Sequence, residues 1–299
     1  MLYYENENGK LFKGDCLEVM DKLIENGVKV DAIITDPPYQ ITNSDWDLLI
    51  PFNNHIKVKN KRGKEIIMYE QDYIMYMLEN TDKSYEYIKD EFMQNSKEGM
   101  WDKVNTLIKP NGVIALFGRQ PFTTKLINSN ISNFKYEWVW IKNRGTGHLN
   151  AKIMPLSCHE TVSIFCEGKT LYNPQKTKGE PYQRLNCSRD ATNKGTYGKM
   201  KKTTDTVNKG DRYPKSYLEF PKVERTLHQN QKPVSLIEYL IKTYTNEGEL
   251  ILDFTSGSST TAVACENTNR KWICIEKEDK YCEISKNRII KEGNNNAKI

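Results

Sequence analysis

Two short stretches hold residues whose types and spacing could do chemistry. The first is Asp36-Pro37-Pro38-Tyr39, which follows the apolar residues 30–35. The two prolines remove backbone donors and fix φ, so the Pro37 carbonyl stands unpaired beside the Asp36 carboxylate. These two acceptors match an amino group with two N–H donors, and Tyr39 could stack on the ring that carries it. The alternative interpretation is a proline turn in which Tyr39 only packs.

The second stretch, residues 250–276, has the pattern of a strand, a turn of small residues, a helix and another strand. The first strand would end at Asp253 and the second at Glu276. In such a βαβ unit, small residues let a nucleotide-like ligand approach the strand ends, and the terminal acid accepts hydrogen bonds from ribose hydroxyls. A purely structural crossover stays open as an alternative, because Gly257 is the only glycine in the turn.

Positive charge is concentrated in one part of the chain. The whole sequence has a formal net charge of +5, whereas residues 169–232 hold 15 lysines and arginines against 6 acidic residues, a net of +9. Tyrosine, asparagine and threonine are interspersed among these cations, as a surface for nucleic acid requires. A solvated lysine-rich insertion would have a similar composition.

The composition is that of a soluble globular protein. The 299 residues allow one large α/β domain or two smaller ones, and the mean hydropathy is −0.72. The longest apolar run, residues 113–117, is far shorter than the ~20 residues that cross a bilayer. We therefore expect no membrane association and a cytoplasmic location. The seven cysteines have no disulfide or zinc-site spacing, so neither is expected.

Alternating strand and helix patterns place both stretches in one sheet. Residues 11–35 predict strand, helix and strand, and a helix at 100–108 leads through a turn to a buried strand at 113–117. Residues 40–75 are predicted to be irregular and residues 76–95 to be helical, and this segment resembles an insertion into the sheet fold. The other predicted elements are a strand pair at 136–141 and 160–166, helices at 235–244 and 260–267, and strands at 250–252 and 272–275.

Taken together, these motifs resemble the amino-group DNA methyltransferases that use S-adenosylmethionine. Their order is the β-type, in which Asp-Pro-Pro-Tyr precedes the cofactor motif. The other matching stretches are Gly14-Asp15, the turn at 107–112, Gln231-Lys232-Pro233 and residues 253–261, which correspond to the family's Gly-Asp, Leu-Lys-Pro-Gly-Gly, Thr-Gln-Lys-Pro and Asp-Pro-Phe-x-Gly-Ser-Gly-Thr-Thr motifs.

The resemblance covers most of the chain outside residues 55–95 and 176–225, and phage and prophage adenine-specific members are the most similar. One departure is Ser259, which replaces the second glycine of the cofactor motif, so that its side chain must avoid the ligand or the following helix.

The resemblance implies a Rossmann-like doubly wound methyltransferase sheet with an inserted basic target-recognition region. Residues 1–166 and 226–299 would form the catalytic domain that binds S-adenosylmethionine, and residues 167–225 would form the target-recognition region. The implied activity is sequence-specific methylation of the exocyclic N6 of adenine in double-stranded DNA, as in restriction-modification. Phosphate contacts from the basic segment would offset the cost of turning the base out of the duplex.

The resemblance also assigns site residues. Asp36, Pro37, Pro38 and Tyr39 would be catalytic. Glu276 would bind the ribose hydroxyls, Asp15 would lie near the adenine, and Lys232 and Pro233 near the carboxylate end of the cofactor. The full set expected at the cofactor is Asp15, Asp36, Lys232, Pro233, Asp253, Phe254, Gly257, Ser258 and Glu276, and the set expected at DNA is Lys142, Arg184, Arg189, Lys201 and Lys202. No metal is required.

Adenine is favoured because the family's N4-cytosine enzymes more often carry serine where this chain has Asp36. N4-cytosine methylation and a catalytically silent DNA-binding module are the alternatives. RNA and protein-glutamine methyltransferases usually have asparagine at this position, which counts against them. A homodimer and a restriction endonuclease partner are expectations from the family alone.

Overall fold

The computed structural model describes residues 1–39, 50–60, 65–184 and 206–296. Its strands are β1 (Leu2–Glu5), β2 (Gly9–Lys13), β3 (Val30–Thr35), β4 (His55–Lys59), β5 (Glu65–Tyr69), β6 (Ile108–Gly118), β7 (Phe134–Thr146), β8 (Ser157–Phe165), β9 (Thr177–Lys178), β10 (Tyr182–Arg184), β11 (Thr206–Asn208), β12 (Asp211–Arg212), β13 (Tyr217–Glu219), β14 (Leu250–Asp253) and β15 (Lys271–Glu276). Its helices are α1 (Cys16–Glu25), α2 (Glu70–Asn80), α3 (Tyr85–Asn95), α4 (Met100–Leu107), α5 (Phe122–Ser129), α6 (Val234–Tyr244), α7 (Thr260–Asn267) and α8 (Asp279–Asn296).

A nine-stranded sheet has the order β1-β2-β15-β14-β3-β6-β8-β7-β13. The neighbouring strands β2, β15, β14, β3 and β6 are parallel to one another. β1 and β8 are antiparallel to these strands, and β7 and β13 run in the same direction as they do. Since neighbouring parallel strands end at the same edge, the segments after β2, β3, β14 and β15 are brought together. β14 occupies the position between β3 and β15, with Leu252 beside Ile33 and Asp253 beside Cys274.

Apolar residues cover both faces of this sheet. In β14, Ile251 packs with α6 and α7, whereas Leu252 packs with α1 and α4. β15 alternates in the same way, with Trp272 on the first face and Ile273 on the second. Successive residues of a strand face opposite sides of the sheet, and each side is covered by its own layer of helices. Both sets of residues are therefore apolar, and the segments are continuous apolar runs in the sequence.

The doubly wound α/β fold predicted from the sequence is confirmed. Every predicted element outside residues 40–95 is present, although β6 already begins at Ile108 and β7 continues to Thr146. Among the described helices, none is both long and apolar enough to cross a bilayer.

The prediction for the insertion was wrong in three respects. Residues 70–75, expected to be irregular, form the first half of α2. Residues 55–69, expected to be irregular, contain the antiparallel pair β4 and β5, and the alternation of Ile56 and Val58 with lysines was the overlooked signal of a strand. The single helix expected over 76–95 is two helices, because Ser84 caps α3 by accepting the N–H of Tyr87 at 3.3 Å.

The chain divides into two compact units, one formed by Met1–Asn173 with Tyr217–Ile299 and the other by Pro174–Ser216. The smaller unit lies within the predicted target-recognition region and contains two pairs of short antiparallel strands, β10 with β11 and β12 with β9. β13, inside the same predicted region, belongs to the main sheet through its pairing with β7. The target-recognition role of 167–225 stays a prediction.

The turn between β14 and α7 has a backbone that favours glycine at two positions. Gly257 has φ +53° and Ser259 has φ +52°, and the Ser259 side chain is fully buried. A left-handed conformation costs a residue with a Cβ about 1–2 kcal/mol. This explains the glycine of the family motif at the second position.

We expect Ser259→Gly to have a higher free energy of unfolding than Ser259→Ala, by about 1 kcal/mol. Both substitutions remove the hydroxyl, so the comparison isolates the backbone conformation. Urea denaturation of the two variants measures the difference. Equal stability would contradict the left-handed backbone at this residue.

Candidate active site

A cavity of about 1160 Å³ opens where four segments leave the carboxyl edge of the sheet. Asp15 follows β2, Asp36 follows β3, the turn at 254–258 follows β14, and Glu276 ends β15; all of them line the cavity together with Lys232. The two stretches singled out in the sequence are thus parts of one site. The parallel order of the strands is the reason, because residues 36 and 257 are remote in sequence.

Asp36 is held from three directions. Its carboxylate accepts a hydrogen bond from the Tyr39 hydroxyl and pairs with the Lys232 ammonium. Its backbone carbonyl accepts a hydrogen bond from the Thr255 hydroxyl at 3.1 Å, which ties it directly to the turn after β14. The Tyr39 ring packs against Phe122 with 4.9 Å between centroids. Burial raises the pKa of the Asp36 carboxyl, and the Lys232 ammonium opposes that rise.

Asp36 belongs to a largely buried group of two carboxylates and two ammonium groups, here called the charge quartet: Asp36, Lys232, Glu160 and Lys142, whose side chains are 6–18% exposed. Glu160, on β8, lies 3.3 Å from Lys232 Nζ and also pairs with Lys142 of β7. The charges balance, which a buried cluster needs. Burial by itself would raise the pKa of Glu160, but Lys232 and Lys142 together bring it below the ordinary value.

Glu160 was missed in the sequence. The overlooked signal is an acidic residue directly before the buried apolar part of a strand, where an ionised group requires a partner. Lys142 also differs from expectation: its side chain is 6% exposed and pairs with Glu160, so it is not presented as an open cation for phosphates.

Asp253 braces the end of β14. Its carboxylate accepts hydrogen bonds from the Thr35 hydroxyl at 2.7 Å, the Thr261 hydroxyl at 2.6 Å and the Thr255 N–H at 3.2 Å. Burial raises the pKa of Asp253 to about 6. These contacts join β3, the turn and α7, so the structure gives this predicted cofactor residue a bracing position behind the turn.

Glu276 braces the other side of the turn. Its carboxylate accepts the N–H of Gly257 and the N–H of Glu278, each at 2.8 Å, and burial raises its pKa to about 7. The His228 ring stands against Gly257, where an added Cβ would lie 3.4 Å from it. Burial lowers the pKa of His228 to about 4 and leaves the ring neutral.

The remaining predicted cofactor residues take varied positions. Asp15 caps α1 by accepting the Leu17 N–H at 3.0 Å. Ser258 is buried, and its carbonyl accepts a hydrogen bond from Arg288 at 3.1 Å. Phe254 is buried in the core, and Pro233 precedes α6 as its N-cap.

Of the residues expected at DNA, Arg184 closes β10. Arg189, Lys201 and Lys202 lie outside the described residues. Their nucleic-acid contacts stay predictions. Within the described ranges, no group of three or more histidine, cysteine or acidic side chains could hold a metal ion.

Comparisons with known proteins agree on a family. A family model described as DNA methylase matches residues 30–287. The type II methyltransferase M.BamHI of Bacillus amyloliquefaciens is 24% identical over 291 residues, which are 96% of this chain but only 58% of the length of M.BamHI. The type II methyltransferase M2.LlaDCHI of Lactococcus lactis subsp. cremoris is 27% identical over 97% of this chain and 92% of its own.

The fold has solved relatives. The crystal structure of an M1.HpyAVI-SAM complex superposes with a TM-score of 0.55 and 21% identity, over 94% of this chain and 98% of that one. This similarity concerns the fold of the sheet and its helices.

The pairing within the charge quartet can be tested by measuring the free energy of unfolding. Glu160→Gln leaves two buried ammonium groups with one carboxylate, so we expect the free energy of unfolding to fall by about 3–5 kcal/mol. Adding Lys142→Met removes the surplus cation, so the double variant should be more stable than Glu160→Gln alone. Urea denaturation of both single variants and the double variant completes the cycle. Additive losses would show that the two side chains do not interact.

The raised pKa of Glu276 can be tested by measuring how stability depends on pH. The folded chain holds the proton of this carboxyl up to about pH 7, whereas the ordinary value is 4.5. Stability from this group is therefore lost as pH rises from 4.5 through 7, because the unfolded chain releases the proton first. We expect the stability of Glu276→Gln relative to the natural protein to increase between pH 5 and pH 8. A difference that is independent of pH would contradict the burial of this carboxylate.

Proposed function

The chain belongs to the DNA methylase family, and we propose that it transfers a methyl group to the exocyclic N6 of adenine at a specific sequence in double-stranded DNA. The methyl donor is S-adenosylmethionine. The observation that carries the proposal is the 3.1 Å hydrogen bond from Thr255 to the Asp36 carbonyl, which joins the acceptor for an amino group to the cofactor turn.

The cavity fits such a donor. Glu276 keeps lone pairs for ribose hydroxyls after accepting its two backbone N–H groups. The carboxylate of Asp15 lines the same cavity, and the Gly257 backbone faces it without a side chain. When bound, S-adenosylmethionine supplies an electrophilic methyl group on a sulfonium.

Asp36 and the Pro37 carbonyl would orient the target amine. As two acceptors they draw both N–H bonds of the amine into their plane, which takes the nitrogen lone pair out of conjugation and aims it at the methyl group. The Asp36 carboxylate accommodates this bond beside those from Tyr39 and Lys232, since a carboxylate has about four acceptor positions. The nitrogen becomes acidic only after it gains the methyl, so Asp36 need not be a strong base before attack.

The choice of adenine over cytosine rests on Asp36, where the N4-cytosine enzymes of the family more often carry serine. The alternative product, N4-methylcytosine, would use the same two acceptors and the same cavity. The modified base therefore has to be identified chemically.

The smaller unit, Pro174–Ser216, is the proposed reader of the DNA sequence. Lys176 lies 4.8 Å from the centre of the Tyr213 ring, and the Arg212 guanidinium 5.1 Å from that of Tyr182. Cations beside aromatic rings suit phosphates and exposed bases. A homodimer and a restriction endonuclease partner stay predictions from the family.

Incubation with DNA and labelled S-adenosylmethionine tests the proposal. We expect 6-methyladenine in one sequence context, which methylation-sensitive sequencing of host DNA identifies. We expect Asp36→Ala to lower the rate at least about 100-fold, because one of the two acceptors is lost, while calorimetry still detects cofactor binding. Asp279→Ala, which removes an exposed carboxylate of α8, is the matched control and should retain full activity.

Two outcomes would refute parts of the proposal. Exclusive 4-methylcytosine would refute the base assignment. A natural protein that gives no heat with S-adenosylmethionine and no product would favour a silent DNA-binding module.

A further inference from the structure

The loop between β7 and β8 carries an exposed apolar patch, here called the hairpin tip, residues 147–156. Leu149 is 90% exposed, Ile153 79%, Met154 53% and Leu156 47%. Single exposed apolar residues are ordinary, but four of them within one short loop indicate a surface that meets another molecule.

The hairpin tip stands at the catalytic edge of the sheet. β7 points the same way as β3 and β6, so its last residues leave the sheet on the side where Asp36 lies. Lys142, near the end of β7, is connected to Asp36 through Glu160 and Lys232. From there β7 continues to Thr146, a further rise of roughly 13 Å. The tip therefore projects beyond the charge quartet.

Backbone hydrogen bonds give the hairpin tip a defined shape. The Asn150 N–H donates to the Gly147 carbonyl at 2.9 Å, and the N–H groups of Ile153 and Met154 donate to the Asn150 carbonyl at 2.9 and 3.0 Å. At its base, Thr146 pairs with Ser157. The apolar side chains are thus presented by an ordered turn.

The charges around the hairpin tip favour a polyanion. Residues 143–157 contain Arg144 and Lys152 and no acidic residue, and Arg144 pairs with the exposed carboxylate of Glu224 at 3.6 Å. An apolar tip between cations matches duplex DNA, in which phosphates flank a stack of apolar bases.

We propose that the hairpin tip is a wedge that enters the base stack of duplex DNA next to the target nucleotide. The proposal rests on the proposed function. Turning a base out of the duplex costs a few kcal/mol of stacking and pairing, and apolar side chains such as leucine and isoleucine that insert between base steps stabilise the opened duplex. Leu149 and Ile153, the two most exposed side chains of the tip, would fill the gap while the base reaches Asp36.

The test compares two duplexes that carry the methylated sequence found by sequencing. In one the target base is paired, and in the other it stands opposite an abasic site and is already partly released. We expect L149S/I153S to methylate the paired duplex at least about tenfold more slowly and the second duplex less than about threefold more slowly. When 2-aminopurine replaces the target base, its fluorescence should increase on binding the natural protein, and most of that increase should be missing with L149S/I153S.

Two further variants serve as controls. I131S changes an apolar residue that is 61% exposed and precedes the start of β7, at the opposite edge, and should leave both rates unchanged. L149M/I153M keeps an apolar tip and should retain the activity on paired duplex.

Equal rates for L149S/I153S and the natural protein, or equal losses on both duplexes, would overturn the wedge. A changed oligomeric state of L149S/I153S in sedimentation, with the ratio of the two rates unaltered, would make the tip a protein contact and also overturn it. Absence of methylation by the natural protein on any DNA would instead refute the proposed function.

Discussion

The parallel pairing of β14 between β3 and β15 is the constraint on which the site depends. It places the end of each of these strands beside the next, so Asp36, the Gly257 turn and Glu276 meet although more than two hundred residues separate the first from the others. Two hydrogen bonds then fix the junction: Thr35 donates to Asp253 at 2.7 Å, and Thr255 donates to the Asp36 carbonyl at 3.1 Å. The Asp-Pro-Pro-Tyr motif and the turn after β14 are therefore hydrogen-bonded to each other, as the orientation-dependent chemistry that we propose requires.

The charge quartet adds a second constraint at the same place. A carboxylate that is to accept hydrogen bonds from a neutral amine must stay ionised in a buried position, and burial works against this. Lys232 supplies the opposing charge, and Glu160 with Lys142 completes a neutral set. Because these residues come from β7, β8 and the segment before α6, the ionisation of Asp36 depends on the packing of strands that lie beyond β6 from β14 in the sheet.

Much of the fold and part of the site could be predicted from the sequence. The apolar runs of β3, β14 and β15 and the motifs at their ends are local signals, and the structure brings those motifs together. Local patterns could not show that Lys142 points to Glu160 instead of solvent, since that pairing depends on the register of β7 against β8. Nor could they show that the Asp253 carboxylate accepts hydrogen bonds from the hydroxyls of Thr35 and Thr261. The roles of the site residues in catalysis and binding stay predictions.

A crystal structure with an S-adenosylmethionine analogue that carries an amine in place of the transferable methyl group tests the central claim most directly. If the braced junction forms the catalytic centre, the amine will lie between the Gly257 turn and Asp36, within about 3 Å of the Asp36 carboxylate or the Pro37 carbonyl. An analogue bound with its amine directed away from Asp36, or seated outside the cavity, would contradict it.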